Sequence, residues 1–208
     1  METCERLARR PLWLCAIYLL FLLPNGYALD PSRRISQYGH TLWRRQDGLV
    51  GATSPITQTS DGYIWIGVPY ASGLVRFDGV NFVPWTFPGD NPLALRHLSA
   101  LLGASDGSLW IGTASGLGRL KDGHFRSYSK PADRWGISSI IEDHAGHIWL
   151  TRYHVPHGEG TICEALDQGL HCYGPADGVP LSYGLGLAED SQGKIGRASC
   201  RERVSSKV

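Results

Sequence analysis

A chain of 208 residues with 42% apolar content, 26 glycines, 12 prolines and seven tryptophans has the composition of a folded, turn-rich protein and excludes a disordered one. Its formal net charge of +1 provides no electrostatic drive toward nucleic acid or an anionic membrane surface, so its partners are to be sought by shape and local polarity.

At the N-terminus Arg6, Arg9 and Arg10 precede an apolar run from Leu12 to Leu23, which Pro24 ends, and Gly26 and Ala28 supply small residues beyond it. This pattern predicts a secretory signal peptide over 1–28, cut after Ala28. The competing reading is an uncleaved anchor, but a membrane-spanning helix needs about 18 apolar residues and this run is shorter.

Beyond the leader the chain repeats itself. Asp61 to Gly67 reads Asp-Gly-Tyr-Ile-Trp-Ile-Gly, Asp106 to Gly112 reads Asp-Gly-Ser-Leu-Trp-Ile-Gly, and Gly146 to Leu150 reads Gly-His-Ile-Trp-Leu. A fourth copy begins at Glu189 to Gly193. The glycines Gly62, Gly107, Gly146 and Gly193 recur every 39 to 47 residues or about that, the period of β-propeller blades and not of ankyrin or tetratricopeptide units.

One period resolves into four short strands: Pro55 to Thr59, Tyr63 to Val68, Leu74 to Phe77, and Asn81 to Trp85. Ser60-Asp61-Gly62, Pro69 to Gly73, and Asp78-Gly79 punctuate them. Asp-Gly between β-rich runs predicts a type I′ hairpin turn, which needs positive φ at both central residues. The second period repeats the grammar with Leu109 to Thr113, Leu117 to Leu120, the turn Asp122-Gly123, and His124 to Tyr128. The central strand of each unit is apolar on both faces, as Ile64-Trp65-Ile66, Leu109-Trp110-Ile111 and Ile148-Trp149-Leu150 show, so each sheet must be covered on both sides. Trp65, Trp110 and Trp149 are read as inter-blade core, and Gly62, Gly107 and Gly146 as turn positions. Asp61, Asp106 and Asp143 recur once per unit in loops, which marks turn residues rather than a pair of catalytic carboxyls on one substrate. No catalytic residue, cofactor or resident metal is expected.

Of the five cysteines, Cys4 and Cys15 leave with the leader and Cys200 falls in the C-terminal run, leaving Cys163 and Cys172 in an oxidising compartment. A two-residue turn at Asp167-Gln168 would set Cys163 opposite Cys172, close enough for a disulfide. A longer turn containing Gly169 would separate them, and two unpaired small hydrophobes are the third alternative. Zinc binding by His154, His157, His171 and these cysteines lacks the usual paired ligand spacing.

After Gly193 the grammar fails: Ile195-Gly196-Arg197-Ala198-Ser199-Cys200-Arg201-Glu202-Arg203-Val204 takes the place of an apolar-Trp-apolar-Gly strand. Residues 194–208 read as a translated adapter sequence joined to the coding sequence rather than as a natural basic tail. The expectation is therefore an all-β fold, a β-propeller arc over 29–193 with about three blades and the start of a fourth. Its uncovered end faces are expected to make the chain self-associate.

The motifs Leu42-Trp43-Arg44-Arg45-Gln46-Asp47-Gly48-Leu49, then Gln58 to Gly67, then Gly73-Leu74-Val75-Arg76-Phe77-Asp78-Gly79, in that order, closely resemble the two-component regulator propeller family, from about Ile35 to Gly193. The resemblance implies a periplasmic domain that senses a ligand, in several relatives a carbohydrate, within a dimeric parent anchored in the inner membrane whose output is a histidine kinase or diguanylate cyclase. None of that output machinery lies in these residues. Departures from the repeat fall at Val68-Pro69-Tyr70-Ala71 and at the irregular stretch Thr151 to Gly160, and irregular loops on a repeating frame are where propellers place ligand contacts. Tyr70, Tyr153 and His154 are the candidate ligand-binding residues. An exported propeller enzyme acting on polysaccharide would need a His, Tyr, Arg or carboxylate cluster from several blades, and His40, His97, His124 and His171 are scattered. A periplasmic protein-interaction scaffold is the third reading.

Overall fold

The computed structural model of the chain describes residues 34, 36, 39, 41–49, 51, 55–68, 73–86, 97–129, 135–156, 159–179 and 186–198. The chain divides into two compact units, Met1–Leu42 and Trp43–Val208. In the first unit the described positions are exposed, and the signal-peptide segment lies outside the described residues.

In the second unit consecutive short runs of apolar and β-branched residues, separated by turns too short for a crossover, pair with their sequence neighbours as antiparallel meanders. The first sheet is β1 (Ile56–Gln58), β2 (Ile64–Val68), β3 (Gly73–Phe77) and β4 (Phe82–Trp85), in that order. The second is β5 (Leu98–Gly103), β6 (Leu109–Thr113), β7 (Gly116–Lys121) and β8 (His124–Ser127), and the third is β9 (Gly136–Glu142), β10 (Ile148–Tyr153), β11 (Ile162–Leu166) and β12 (Gly169–Tyr173). A two-stranded sheet of β13 (Gly186–Glu189) and β14 (Ile195–Ala198) follows.

The sheets stack face to face because both faces of each are greasy. Trp65 and Leu74 of the first sheet pack with Leu98, Leu101, Leu109, Ile111 and Leu120 of the second. Trp110 and Leu117 of the second pack with Ile137, Ile140, Ile148 and Leu150 of the third. The other face of the first sheet, formed by Ile66, Val68, Val75 and Phe77 with Ile64 and Phe82 of the same sheet, packs against Leu49. Trp43 stands edge-on to Phe77 at 5.0 Å between ring centroids. The leading strand of each sheet touches that of the next: β1 meets β5, β5 meets β9, and β9 meets β13. The fourth strands lie outermost, so the sheets radiate from a common inner edge.

The turn between first and second strands is the same in every unit, and backbone bonds define it. Thr59, Ala104, Asp143 and Asp190 each donate their N–H to the carbonyl four residues on and accept at their carbonyl from the N–H of Gly62, Gly107, Gly146 and Gly193, at 2.8–3.0 Å. Those glycines have φ between +77° and +88°, where a side chain would strain the backbone. The aspartates do not hold one common place in this turn. Asp61 and Asp106 precede the glycine directly, whereas Asp143 and Asp190 stand three residues before it. At the place of Asp143 the first sheet has Thr59, and each serves the indole of its own blade: Trp65 Nε1 donates to Thr59 Oγ1 at 3.0 Å and Trp149 Nε1 to Asp143 Oδ2 at 2.9 Å. In the second turn burial pushes the Asp106 carboxyl up, but Ser108, Lys121 and Arg119 outweigh it and hold the group well below the carboxylate range.

Burial also opposes ionisation of Asp143, yet the Trp149 indole N–H and the N–H groups of His147 and Ala145 hold its pKa down at about 2. A depressed carboxylate contributes stability in full above its ordinary 3.8 and loses it as pH falls through about 2. Asp143→Ala is expected to cost about 0.5–1.5 kcal/mol near neutrality, since it removes the acceptor of a half-buried indole and of two exposed backbone donors. Urea unfolding of wild type and variant should converge as pH is lowered toward the folded value.

Two features depart from the sequence expectation. At Asp122-Gly123 both residues have positive φ, and the register Lys121↔His124 makes a two-residue turn. At Asp78-Gly79 only Gly79 does, and Phe77↔Phe82 encloses four residues, because the Asp78 carboxylate accepts from the N–H groups of Val80 and Asn81 and rebuilds the loop around itself. Residues 195–198, set outside the fold by the sequence pattern, form strand β14, pairing Glu189 with Ile195. The turn Asp190–Gly193 returns the chain onto β13, and backbone pairing there does not need the missing tryptophan.

Candidate functional site

The irregular end of the third sheet holds the distinctive chemistry. β10 continues through Thr151, Arg152 and Tyr153 after a register shift against β9 between Thr151 and Arg152, so these three residues are strand and the loop begins at His154. Bulges re-aim the side chains beyond them. Tyr153 lies opposite Gly136, and a Cβ on Gly136 would stand 2.3 Å from the Tyr153 ring. The missing side chain is what seats the phenol against the start of β9. His154 follows with φ +56°, a conformation few non-glycine residues adopt, and its ring stands edge-on to Tyr153 at 5.0 Å. His154 is exposed and Tyr153 half-buried.

Next to them in the chain lies a buried cation. Arg152 is 7% exposed, and its guanidinium lies 5.1 Å from the centre of the Trp135 ring. It donates to the Gly160 carbonyl at 2.8 Å and stands 3.5 Å from a Glu159 carboxylate oxygen, which ties Glu159 and Gly160 to the sheet. A charge at that depth persists only when paired and hydrogen-bonded. Trp135 also reaches the second sheet, where a Cβ on Gly116 would lie 3.5 Å from its ring. The assembly sets an exposed imidazole beside a half-buried phenol, next to an arginine that holds Glu159 and Gly160. It can bind and orient a polar ligand, while its carboxylate is engaged by Arg152.

Of the residues singled out in sequence, the structure brings Tyr153 and His154 together. Tyr70, between β2 and β3, lies outside the described residues, as does His157. His171 sits on β12 edge-on to Tyr173 at 4.7 Å, away from His154 in the sheet order. Cys163 and Cys172 are cross-strand partners joined by a disulfide, with Cα atoms 4.0 Å apart and Asp167-Gln168 as the turn between their strands. Among the described residues no three His, Cys, Asp or Glu side chains are grouped to hold a metal. Trp65 and Trp110 are buried at 5% and 3% exposure, and Trp149 is half-buried.

Sequence reasoning passed over Arg152 and Trp135. The signal was available for the first: three residues after each repeat tryptophan come Val68, Thr113 and Arg152, and the first two are fully buried. A charge where the repeat has a buried small residue marks the unit that departs from the frame.

No family model matches the sequence, and no curated protein matches it. Among solved structures, the extracellular domain of BT4673 from B. thetaiotaomicron, named as a hybrid two-component system, superposes with a TM-score of 0.56 at 19% identity, over 73% of this chain and 21% of that one. The corresponding domain of BT3049 from the same organism gives 0.53 at 19% identity, over 69% and 20%. An inactive variant of virginiamycin B lyase from Staphylococcus aureus, solved with quinupristin, gives 0.52 at 22% identity, over 69% and 48%. The fold is a β-propeller arc. The chain spans about a fifth of the length of the two extracellular domains, and among the described residues no helix is long and apolar enough to cross a membrane.

Proposed function

We propose that this chain is part of the extracytoplasmic, ligand-sensing propeller of a membrane-bound signalling receptor, exported by its N-terminal signal peptide, within a dimeric parent of the two-component regulator propeller family. The observation that carries the reading is the likeness of its sheet stack to two extracellular domains named for two-component systems. The repeat motifs support it independently, since they are met in order from Leu42 onward. In this reading Tyr153 and His154 are the ligand contacts contributed by the third blade, and Arg152 with Trp135 is their support. A phenol beside an imidazole suits a hydroxylated ligand such as a carbohydrate, which stacks on the ring and hydrogen-bonds to its edge. The parent's output domain is a histidine kinase or diguanylate cyclase.

The test is a thermal-shift screen of the chain against soluble mono- and oligosaccharides, repeated with Tyr153→Ala and His154→Ala. A sugar that raises the melting temperature of the wild type in proportion to its concentration, and loses that effect in both variants, is the expected result. A shift retained in both variants places the ligand elsewhere, and no shift with any sugar removes the carbohydrate reading.

The lyase likeness favours a second reading, an exported propeller enzyme. Against it, the Glu159 carboxylate faces Arg152, which leaves His154 without an acidic partner from that loop.

A further inference from the structure

We propose that the joint between the third sheet and the β13–β14 hairpin is fastened by a proton-dependent clasp, His144 on Glu189, that tightens in mild acid and slackens above neutrality. The geometry is a repeated one. Glu142 ends β9 and reaches back to the turn of the second sheet, where it accepts from Ser105 N–H at 2.7 Å and from Ser105 Oγ at 2.5 Å. Glu189 ends β13 at the equivalent place and reaches back to the turn of the third sheet, where it accepts from His144 N–H at 2.9 Å and from His144 Nδ1. Between the first and second sheets that place is Gly103, where a Cβ would stand 2.2 Å from the Gln58 carbonyl and whose N–H donates to Thr57 Oγ1 at 2.9 Å. Three joints thus use three fastenings: close backbone approach with a threonine hydroxyl, a serine hydroxyl on a carboxylate, and an imidazole on a carboxylate. The third responds to protons.

The surroundings define the sign. Glu189 pushes the His144 imidazole up from its ordinary 6.5, and the neighbouring Asp143 adds to this. Asp143 is itself engaged by Trp149 and His147. The turn packed against His144 carries Asp190, which accepts from the backbone N–H groups of Gln192 and Lys194 and feels the charge of the Lys194 side chain. A Cβ on Gly193 would stand 2.8 Å from His144 Cε1, so the imidazole lies against that turn. A raised histidine contributes its stability in full below 6.5 and loses it as pH rises through the folded value. The backbone N–H of His144 does not titrate, so half of the clasp remains.

Hydrogen exchange of the amides in 186–198, corrected for intrinsic chemical rates and referred to those of β9 and β10, tests this at about pH 5.5 and about pH 8.0. The expected ratio of protection between the two conditions is about two- to five-fold in favour of acid, the scale of one exposed ion pair. In His144→Ser, which copies the Ser105 fastening, the ratio should fall to about one; in His144→Lys protection should be independent of pH. Equal protection of the wild type at both pH values overturns the proposal, and so does a ratio that survives His144→Ser.

Discussion

Replacing Trp110 by alanine is expected to cost about 3–5 kcal/mol, the range for removing a buried indole. The side chain is 3% exposed, packed among Ala100 and Leu117 of its own sheet and Ile137, Ile140 and Leu150 of the next, with the Arg119 guanidinium 5.2 Å from its ring. The void would open in the seam between two sheets, where collapse requires one to slide on the other, so the loss should lie toward the upper end. Trp149→Ala, at a half-buried site, should cost less. Urea unfolding followed by the remaining tryptophans measures both. A cost below about 1 kcal/mol at Trp110 is incompatible with sheets interleaved through that residue.

Cutting the Cys163–Cys172 bond is expected to lower stability by about 2–3 kcal/mol, the loop-closure value for a ring of this size. The bond joins β11 to β12 across a sequence separation of nine and so ties the outermost strand of the third sheet to its neighbour. Cys163 is fully buried in the same core cluster as Trp110, which shields that sulfur from exchange. The double variant Cys163→Ala and Cys172→Ala, compared with the wild type with and without reductant, measures the loss. Equal midpoints for oxidised wild type and double variant would show that the strand pairing already holds the hairpin closed in the unfolded ensemble.

Local rules carried most of the fold. Strands read as Tyr63 to Val68, Leu109 to Thr113 and His124 to Tyr128 form within one residue at either end, because short β-prone runs between glycine turns leave the backbone few other partners. The stacking of sheets followed from three strands greasy on both faces. What local reading missed arises where a side chain overrides the backbone rule or where partners are far apart in sequence. Asp78 closes its loop with its own carboxylate, so an Asp-Gly pair gave a four-residue connection. Arg152 acquires meaning only through Trp135, just ahead of β9, and Gly160, in the segment before β11. Its neighbours Tyr153 and His154 were legible as a departure from the repeat, whereas the buried cation beside them was legible only by setting the three units side by side.

The two placements of the turn aspartate carry a lesson for comparing such arrays. The glycine and the paired backbone groups keep the same phase in every unit, while the acidic residue slips by two positions between the second unit and the third, and a threonine hydroxyl fills the vacated role in the first. An alignment anchored on carboxylates would therefore shear half the units against the rest, matching the indole acceptor of one to a solvent-facing position of another. Counting from the glycine keeps the lattice of units in step, and it is the frame in which an insertion, a graft or a designed extra blade should be spliced.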